Sequence, residues 1–168
     1  MRLKDKAIIV TGGTSGIGAA IATAAIREGA KVLVHGINEE EGRATVERLG
    51  ANADLCIADL NEDSAPQIIV KAALKAFGKI DGVVNNAAIF GGTNIADQEI
   101  EHFRQMVQIN LTAPLFLIKA AFEELKKTGG CVLNIGSINA HAGESRLLAY
   151  SISKGGMQTM TRNLANAN

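Results

Sequence analysis

The stretch AIIVTGGTSGIGAAIATAAIREGAKVLVH, residues 7–35, sets an apolar run, a glycine-rich turn, a helix-spaced series and a second apolar run in that order. AIIVT (7–11) reads as a strand, because a short apolar run bounded by turn residues suits a buried strand. Ile17, Ala20, Ile21, Ala24 and Ala25 then recur at helical spacing, and Gly29 stands where a helix-ending glycine belongs. KVLVH (31–35) supplies the next strand. Strand, helix, strand at these lengths is the signature of parallel strands joined by a crossover helix.

The alternation continues along the chain. A polar helix over about 39–49 ends at Gly50, DLCIAD (54–59) makes a third strand, and a helix over about 62–77 stops at Gly78. DGVVNNAA (81–88) is a fourth strand with two asparagines at its carboxyl end, where open parallel sheets place ligands. The loop IFGGTNIADQ leads into a long helix from about Gln98, interrupted near Pro114, which lacks an N–H and disfavours helix at Ala113. TGG (128–130) ends it, CVLNIGS (131–137) is a fifth strand, and a last helix starts near Leu148 and runs towards the terminus. Strands this apolar are covered by helices on both faces. The expected fold class is therefore α/β, a doubly wound parallel sheet forming one domain over residues 1–168, with no linker, repeat or low-complexity tract.

Composition narrows the partners. The chain has 168 residues, 47% of them hydrophobic and 20% charged, which suits one packed domain rather than a disordered or fibrous chain. Lys and Arg number 17, as do Asp and Glu, so no excess positive field concentrates phosphate polymers or anionic lipid. Neither nucleic acid nor a membrane is an expected partner. MRLKDKAIIVTGG sets only AIIV after its basic residues, which is too little for a signal peptide. No run approaches the ~18 apolar residues of a spanning helix. Cys56 and Cys131 are too few for a disulfide framework or a CxxC metal site and read as small apolar fillers of strands. The cytoplasm is the expected location.

TGGTSGIG (11–18) gives Gly12, Gly16 and Gly18 a GxxxGxG spacing. A turn there aims free backbone N–H groups and the helix's positive end at whatever sits above the sheet. Glycines admit a pyrophosphate close to the backbone, where a Cβ would collide. A merely tight turn is the alternative, but the flanking strand and helix favour nucleotide binding. Gly12, Thr14, Ser15, Gly16, Ile17 and Gly18 are therefore cofactor candidates. In an ordinary dinucleotide-binding unit, a carboxylate near the end of the second strand takes the ribose 2′-OH and selects NAD. HGINEEEG (35–42) puts Gly36 there, and Ile37 brings no charge for a 2′-phosphate. NADP and NAD both stay open, with a slight lean to NADP; Arg43 reads as an exposed helix arginine. Asp59, followed by Leu60, can accept from an adenine amino group, while capping or turn formation explains it equally.

Tyr150 and Lys154 are i,i+4 neighbours on the last helix. A free tyrosine titrates near ~10, so proton exchange close to neutrality asks for about 4 kcal/mol of help to the phenolate. An ammonium one helical turn away supplies help of that kind. Ser137, arriving from a strand's carboxyl end, can hydrogen-bond a substrate oxygen as its charge changes. His141 can touch substrate from the 139–146 loop, or simply be solvated. His35, His102 and His141 lack a second ligand at helical or hairpin spacing, so no metal site is expected.

In order, these residues resemble the short-chain dehydrogenase/reductase family, from about Lys6 to the last residue. TGGTSGIG is similar to the family's TGxxxGxG, ADL (58–60) to its adenine-site element, and NNAA (85–88) to its NNAG. Asn110 in INLTAP, Ser137 in NIGS, and Tyr150 with Lys154 in YSISK match its Asn-Ser-Tyr-Lys tetrad, Ser137 lying thirteen residues before Tyr150. The resemblance implies a Rossmann fold with strand order 3-2-1-4-5 and hydride exchange between NAD(P) and a small alcohol or carbonyl substrate. It implies that Tyr150 exchanges the proton, Lys154 also holds the nicotinamide ribose, and Asn110 supports a water linking Lys154 to solvent. Asn86 and Ala87 would line the cofactor. It also implies a homodimer or homotetramer through the long helices, with Phe103, Met106, Val107, Phe116, Leu117 and Ala121 in the contact or in the core.

Family members continue with a sixth strand, a segment covering the substrate and a seventh strand, which this sequence lacks. NLANAN has no helix-stopping glycine and reads like the middle of a helix, so a longer protein is expected. A short chain completed by self-association and an inactive nucleotide-binding fragment or interaction module are the alternatives. Without those later strands, strand five would be an open sheet edge.

Overall fold

The computed structural model describes residues 1–166. Its core is a five-stranded sheet in the order β3-β2-β1-β4-β5, every pair parallel. In chain order the elements are β1 (Ala7–Val10), α1 (Gly16–Arg27), β2 (Lys31–Gly36), α2 (Glu39–Leu49), β3 (Ala53–Ile57), α3 (Ala65–Phe77) and β4 (Gly82–Asn85). They continue with α4 (Ile100–Val107), α5 (Ala113–Thr128), β5 (Cys131–Asn134) and α6 (Leu148–Ala165). The doubly wound reading and its strand order hold. The expected run of the last helix through residue 168 reaches beyond the described residues.

Strand alternation distributes the core to the two faces of the sheet. Ile9, Leu33, Cys56 and Val83 pack with Ile69, Val70, Ala113 and Leu117 on the side of α3 and α5. Val10, Val32, Val34 and Val84 pack with Ala22 and Ala25 of α1, and with Val46 and Leu49 of α2. Each fully buried aliphatic side chain contributes about 1.5–3 kcal/mol relative to exposure, so both faces are needed to hold the sheet.

Several boundaries differ from the sequence reading, for local reasons. β3, β4 and β5 stop at Ile57, Asn85 and Asn134, because the residues that follow leave the ladder for the loops above the sheet. The third helix begins at Ala65 rather than near residue 62. Asp59 first accepts the Asn61 N–H on its side chain and the Glu62 N–H on its carbonyl, closing a turn.

The long helix is widened ahead of Pro114 rather than broken at it. Residues Gln108–Thr112 form a π-turn in which the Ala113 N–H reaches back five residues to the Gln108 carbonyl. Pro114 then sits in the first turn of α5, where its missing N–H costs nothing. The apolar series on this helix pair divides: Met106, Leu117 and Ala121 are core, while Phe116 is exposed.

β5 departs from expectation at its cysteine. Cys131 is exposed, so it does not fill the core as Cys56 does. Among the described residues β4 is the only strand paired with β5, and Leu133 is 51% exposed. An apolar groove of about 790 Å³ runs beside it, between Phe122 and Leu125 of α5 and Leu164 of α6. Among the described residues no helix is long and apolar enough to cross a membrane.

Asp81 clamps the amino end of the sheet. Its carboxylate accepts the Ala7 N–H at 2.9 Å and pairs with Lys6 and Lys79, each at 2.9 Å. Burial pushes this carboxyl up, but the Ala7 N–H and the two ammonium groups outweigh burial and hold it below the ordinary aspartate value of 3.8. Its stabilisation is therefore present above that value and lost as pH falls through the lower folded-state pKa. Asp81→Asn is expected to destabilise by about 2 kcal/mol in urea titrations at neutral pH. The gap to wild type should shrink below about pH 4; a gap that persists undiminished in acid contradicts this account.

Candidate active site

The carboxyl ends of β1 and β4 are tied by one buried hydroxyl. Thr11, 1% exposed, accepts the N–H groups of Asn86 and Ala87 at 3.0 Å each and donates to the Val84 carbonyl at 3.3 Å. The Asn86 side chain returns the contact, donating to the carbonyls of Thr11 and Gly12 at 2.9 and 3.2 Å. Asn86 and Ala87 thus brace the glycine turn.

Within the turn the glycines have different tasks. A Cβ placed on Gly18 would lie 2.1 Å from the Gly12 carbonyl oxygen and 2.6 Å from Asn86 Nδ2, so Gly18 is a packing glycine. Gly16 has φ +52° and nothing within 4 Å of where its Cβ would be, so it faces open space in a left-handed conformation. Ser15 begins α1 without a side-chain cap, and Ser15, Gly16 and Ile17 are exposed. An uncapped helix amino end beside open backbone fits the pyrophosphate of a dinucleotide. Thr14 is turned over the next strand, its carbonyl accepting from Thr45 at 3.0 Å. A Cβ on Gly36 would lie 2.5 Å from Thr14 Cγ2, so a side chain there would have to displace the threonine methyl. Arg43 pairs with Glu39 on the exposed side of α2.

Asp59 lies in the turn described above, and the carbonyl of buried Leu60 accepts from Gln108 at 3.4 Å. Asn110 is fully buried in the π-turn. Its side chain accepts the Ile89 N–H at 2.9 Å and donates to the Ile89 carbonyl at 3.0 Å, as a strand neighbour would. It also donates to Ser153 Oγ at 3.2 Å, and Ser153 donates to the Tyr150 carbonyl at 2.7 Å. The loop after β4 is thereby joined to the first turn of α6.

Tyr150 and Lys154 occupy successive turns of α6. Lys154 is 2% exposed, and its Nζ donates to the Ile135 carbonyl at 2.7 Å, 5.9 Å from the Tyr150 ring centre. Burial pulls this ammonium below the ordinary lysine value. Phe90, largely exposed, sets an edge against the Tyr150 ring at 5.0 Å. Ser137 accepts the Asn139 N–H at 3.2 Å and shares a cleft of about 260 Å³ with His141, Lys154 and Gln158. His141 is engaged by Gln158 at 2.7 Å.

Sequence reading overlooked Thr11, Ser153 and Phe90, and also the ladder that carries the sheet into α6. There Asn85 donates to Asn134 at 2.8 Å, and Asn134 donates to Thr161 at 2.9 Å. The first asparagine at the end of β4, Asn85, was a visible signal; the threonines and serine carry none without the fold.

A family model described as short chain dehydrogenase matches residues 6–167. An uncharacterized oxidoreductase of Thermotoga maritima is 37% identical, over 98% of this chain and 66% of that protein. L-fucose dehydrogenase of Mus musculus is 35% identical, over 98% and 60%. An NADP-dependent (R)-specific alcohol dehydrogenase of Lentilactobacillus kefiri is 32% identical, over 98% and 67%. The chain thus spans about two thirds, or somewhat less, of the length of these curated relatives.

The two glycines separate packing from backbone strain. Gly18→Ala is expected to destabilise by about 2–3 kcal/mol through overpacking. Gly16→Ala should cost about 1–2 kcal/mol for its left-handed backbone. Thermal melts in which Gly16→Ala is the more damaging would reverse this assignment.

Proposed function

Because the chain belongs to the short-chain dehydrogenase family, we propose that it is an NAD(P)-dependent oxidoreductase exchanging a hydride with a small alcohol or carbonyl compound. The observation that carries this reading is the shared rim. The open glycine turn after β1, Ser137 after β5, and Tyr150 with Lys154 on α6 all belong to the carboxyl end of one parallel sheet, where such sheets hold their ligands. Residues 1–168 act as one dinucleotide-binding domain in this reading, and its expected location is the cytoplasm.

Gly12, Thr14, Ser15, Gly16, Ile17 and Gly18 would hold the pyrophosphate, and Asp59 and Leu60 would border the adenine. Asn86 and Ala87 would form the floor towards the nicotinamide, with Tyr150 and Lys154 at its ribose. A nicotinamide dinucleotide bound there supplies the hydride. Tyr150 Oη gives a proton to the carbonyl oxygen in reduction and takes it back in oxidation. Ser137 Oγ hydrogen-bonds the same oxygen while its charge changes. Lys154 sets its ammonium one helical turn away, 5.9 Å from the Tyr150 ring centre. Asn110 acts at one remove, holding the 89 loop and the start of α6 in register.

Coenzyme choice rests on Gly36, Thr14 and Ile37, which offer neither acid nor base; the reading leans to NADP. The substrate is a small alcohol or carbonyl, such as a sugar or hydroxy ester. A homodimer or homotetramer through α5 suits exposed Leu115 and Phe116.

With NADPH and NADH and a panel of small ketones, aldehydes and alcohols, Tyr150→Phe is expected to lower kcat by about 10²–10⁴-fold while dinucleotide still binds. Turnover retained by that variant would remove Tyr150 from the reaction. A wild-type protein that binds neither dinucleotide would sink the oxidoreductase reading.

A further inference from the structure

His35 lies near the end of β2, 1% exposed, and no step above uses it. Its carbonyl accepts the Gly13 N–H at 2.8 Å, and its Nδ1 accepts the Gly12 N–H at 3.4 Å. On the opposite side Nε2 stands 2.9 Å from the Ala58 carbonyl. A carbonyl only accepts, so Nε2 carries the proton and Nδ1 is bare, which assigns the neutral tautomer from its partners. One residue thereby holds two consecutive N–H groups of the glycine turn and fastens them to the segment entering Asp59 and Leu60.

The surroundings of the ring contain little charge. His35 shares its side of β2 with Leu33, where Ile9 of β1, Ile69 of α3 and Leu117 of α5 are apolar. Its register neighbour on β3, Cys56, is a thiol pushed up to about 11 by burial and by Asp54, and so is neutral. The glycine turn above carries no titratable side chain. Asp59 is the charged group that acts on the ring.

We propose that His35 is a positioning residue for the dinucleotide turn, fixing Gly12 through its bare Nδ1. A proton on that nitrogen sets donor against donor, frees the turn and weakens dinucleotide binding. This rests on the glycine turn being the dinucleotide site. Burial holds the imidazole below the ordinary histidine value of 6.5, against the Ala58 carbonyl and Asp59, which favour the charged ring. The loss of affinity therefore belongs to mild acid, below the usual histidine range.

Calorimetric titration with NADP⁺ and NAD⁺, from about pH 7.5 to about pH 5, should compare wild type with His35→Asn and His35→Gln. Asparagine keeps an acceptor near the Nδ1 position, and glutamine keeps the Ala58 bond alone; neither takes a proton. Wild-type affinity is expected to fall progressively in acid relative to His35→Asn, approaching about tenfold per pH unit once the ring titrates, the ligand's own protonation being common to both. His35→Gln, leaving Gly12 without its acceptor, should bind weakly at every pH, and serves alone if His35→Asn does not fold. Identical pH profiles for wild type and either variant overturn the proposal. In ligand-free protein the Gly12 amide resonance should titrate with the His35 ring. If it does so while neither dinucleotide binds, the glycine turn is not the dinucleotide site and His35 merely supports a turn.

Discussion

The rim of this sheet depends first on the junction between β1 and β4, where the crossover connections diverge. Thr11 closes that junction by accepting two successive N–H groups from the neighbouring strand's exit while donating to a carbonyl within it. A buried hydroxyl has one proton and two lone pairs, and here all are engaged. Asn86 answers from the other side, so the glycine turn is stapled to β4 before any ligand arrives. Preorganisation of this sort reduces the entropy that binding must overcome.

The same economy governs the opposite half of the rim. Asn110, Ser153 and the Tyr150 carbonyl form a line of neutral groups, and Lys154 meets a carbonyl rather than a carboxylate. Lys154 is thus hydrogen-bonded without an ion-pair partner among the described residues. The π-turn belongs to this design, since a regular helix through Asn110 would run into the ring of Pro114.

Much of this was legible because it is written in periodicity and glycine. The strand-turn-helix of residues 7–27 needs short apolar runs, a helix-spaced series and glycines, all visible in one dimension. Strand ends were misjudged because residues 58–59, 86–88 and 135–137 continue the composition of the strands before them, and nothing local says that the ladder has already stopped at Ile57, Asn85 and Asn134. The widening before Pro114 was hidden because proline signals only that an N–H is missing, not where the chain takes up the slack. Thr11, Ser153 and the histidine under the turn were silent for a related reason: each matters through a partner tens of residues away, and no local spacing encodes that.

The crowding of Thr14 over Gly36 has a consequence for how such a site can change over generations. An acidic residue at position 36 would have to enter a space already occupied by the threonine methyl, so its value depends on what stands at position 14. A smaller residue at position 14, or a turned threonine side chain, would open that space, so the two positions share one volume.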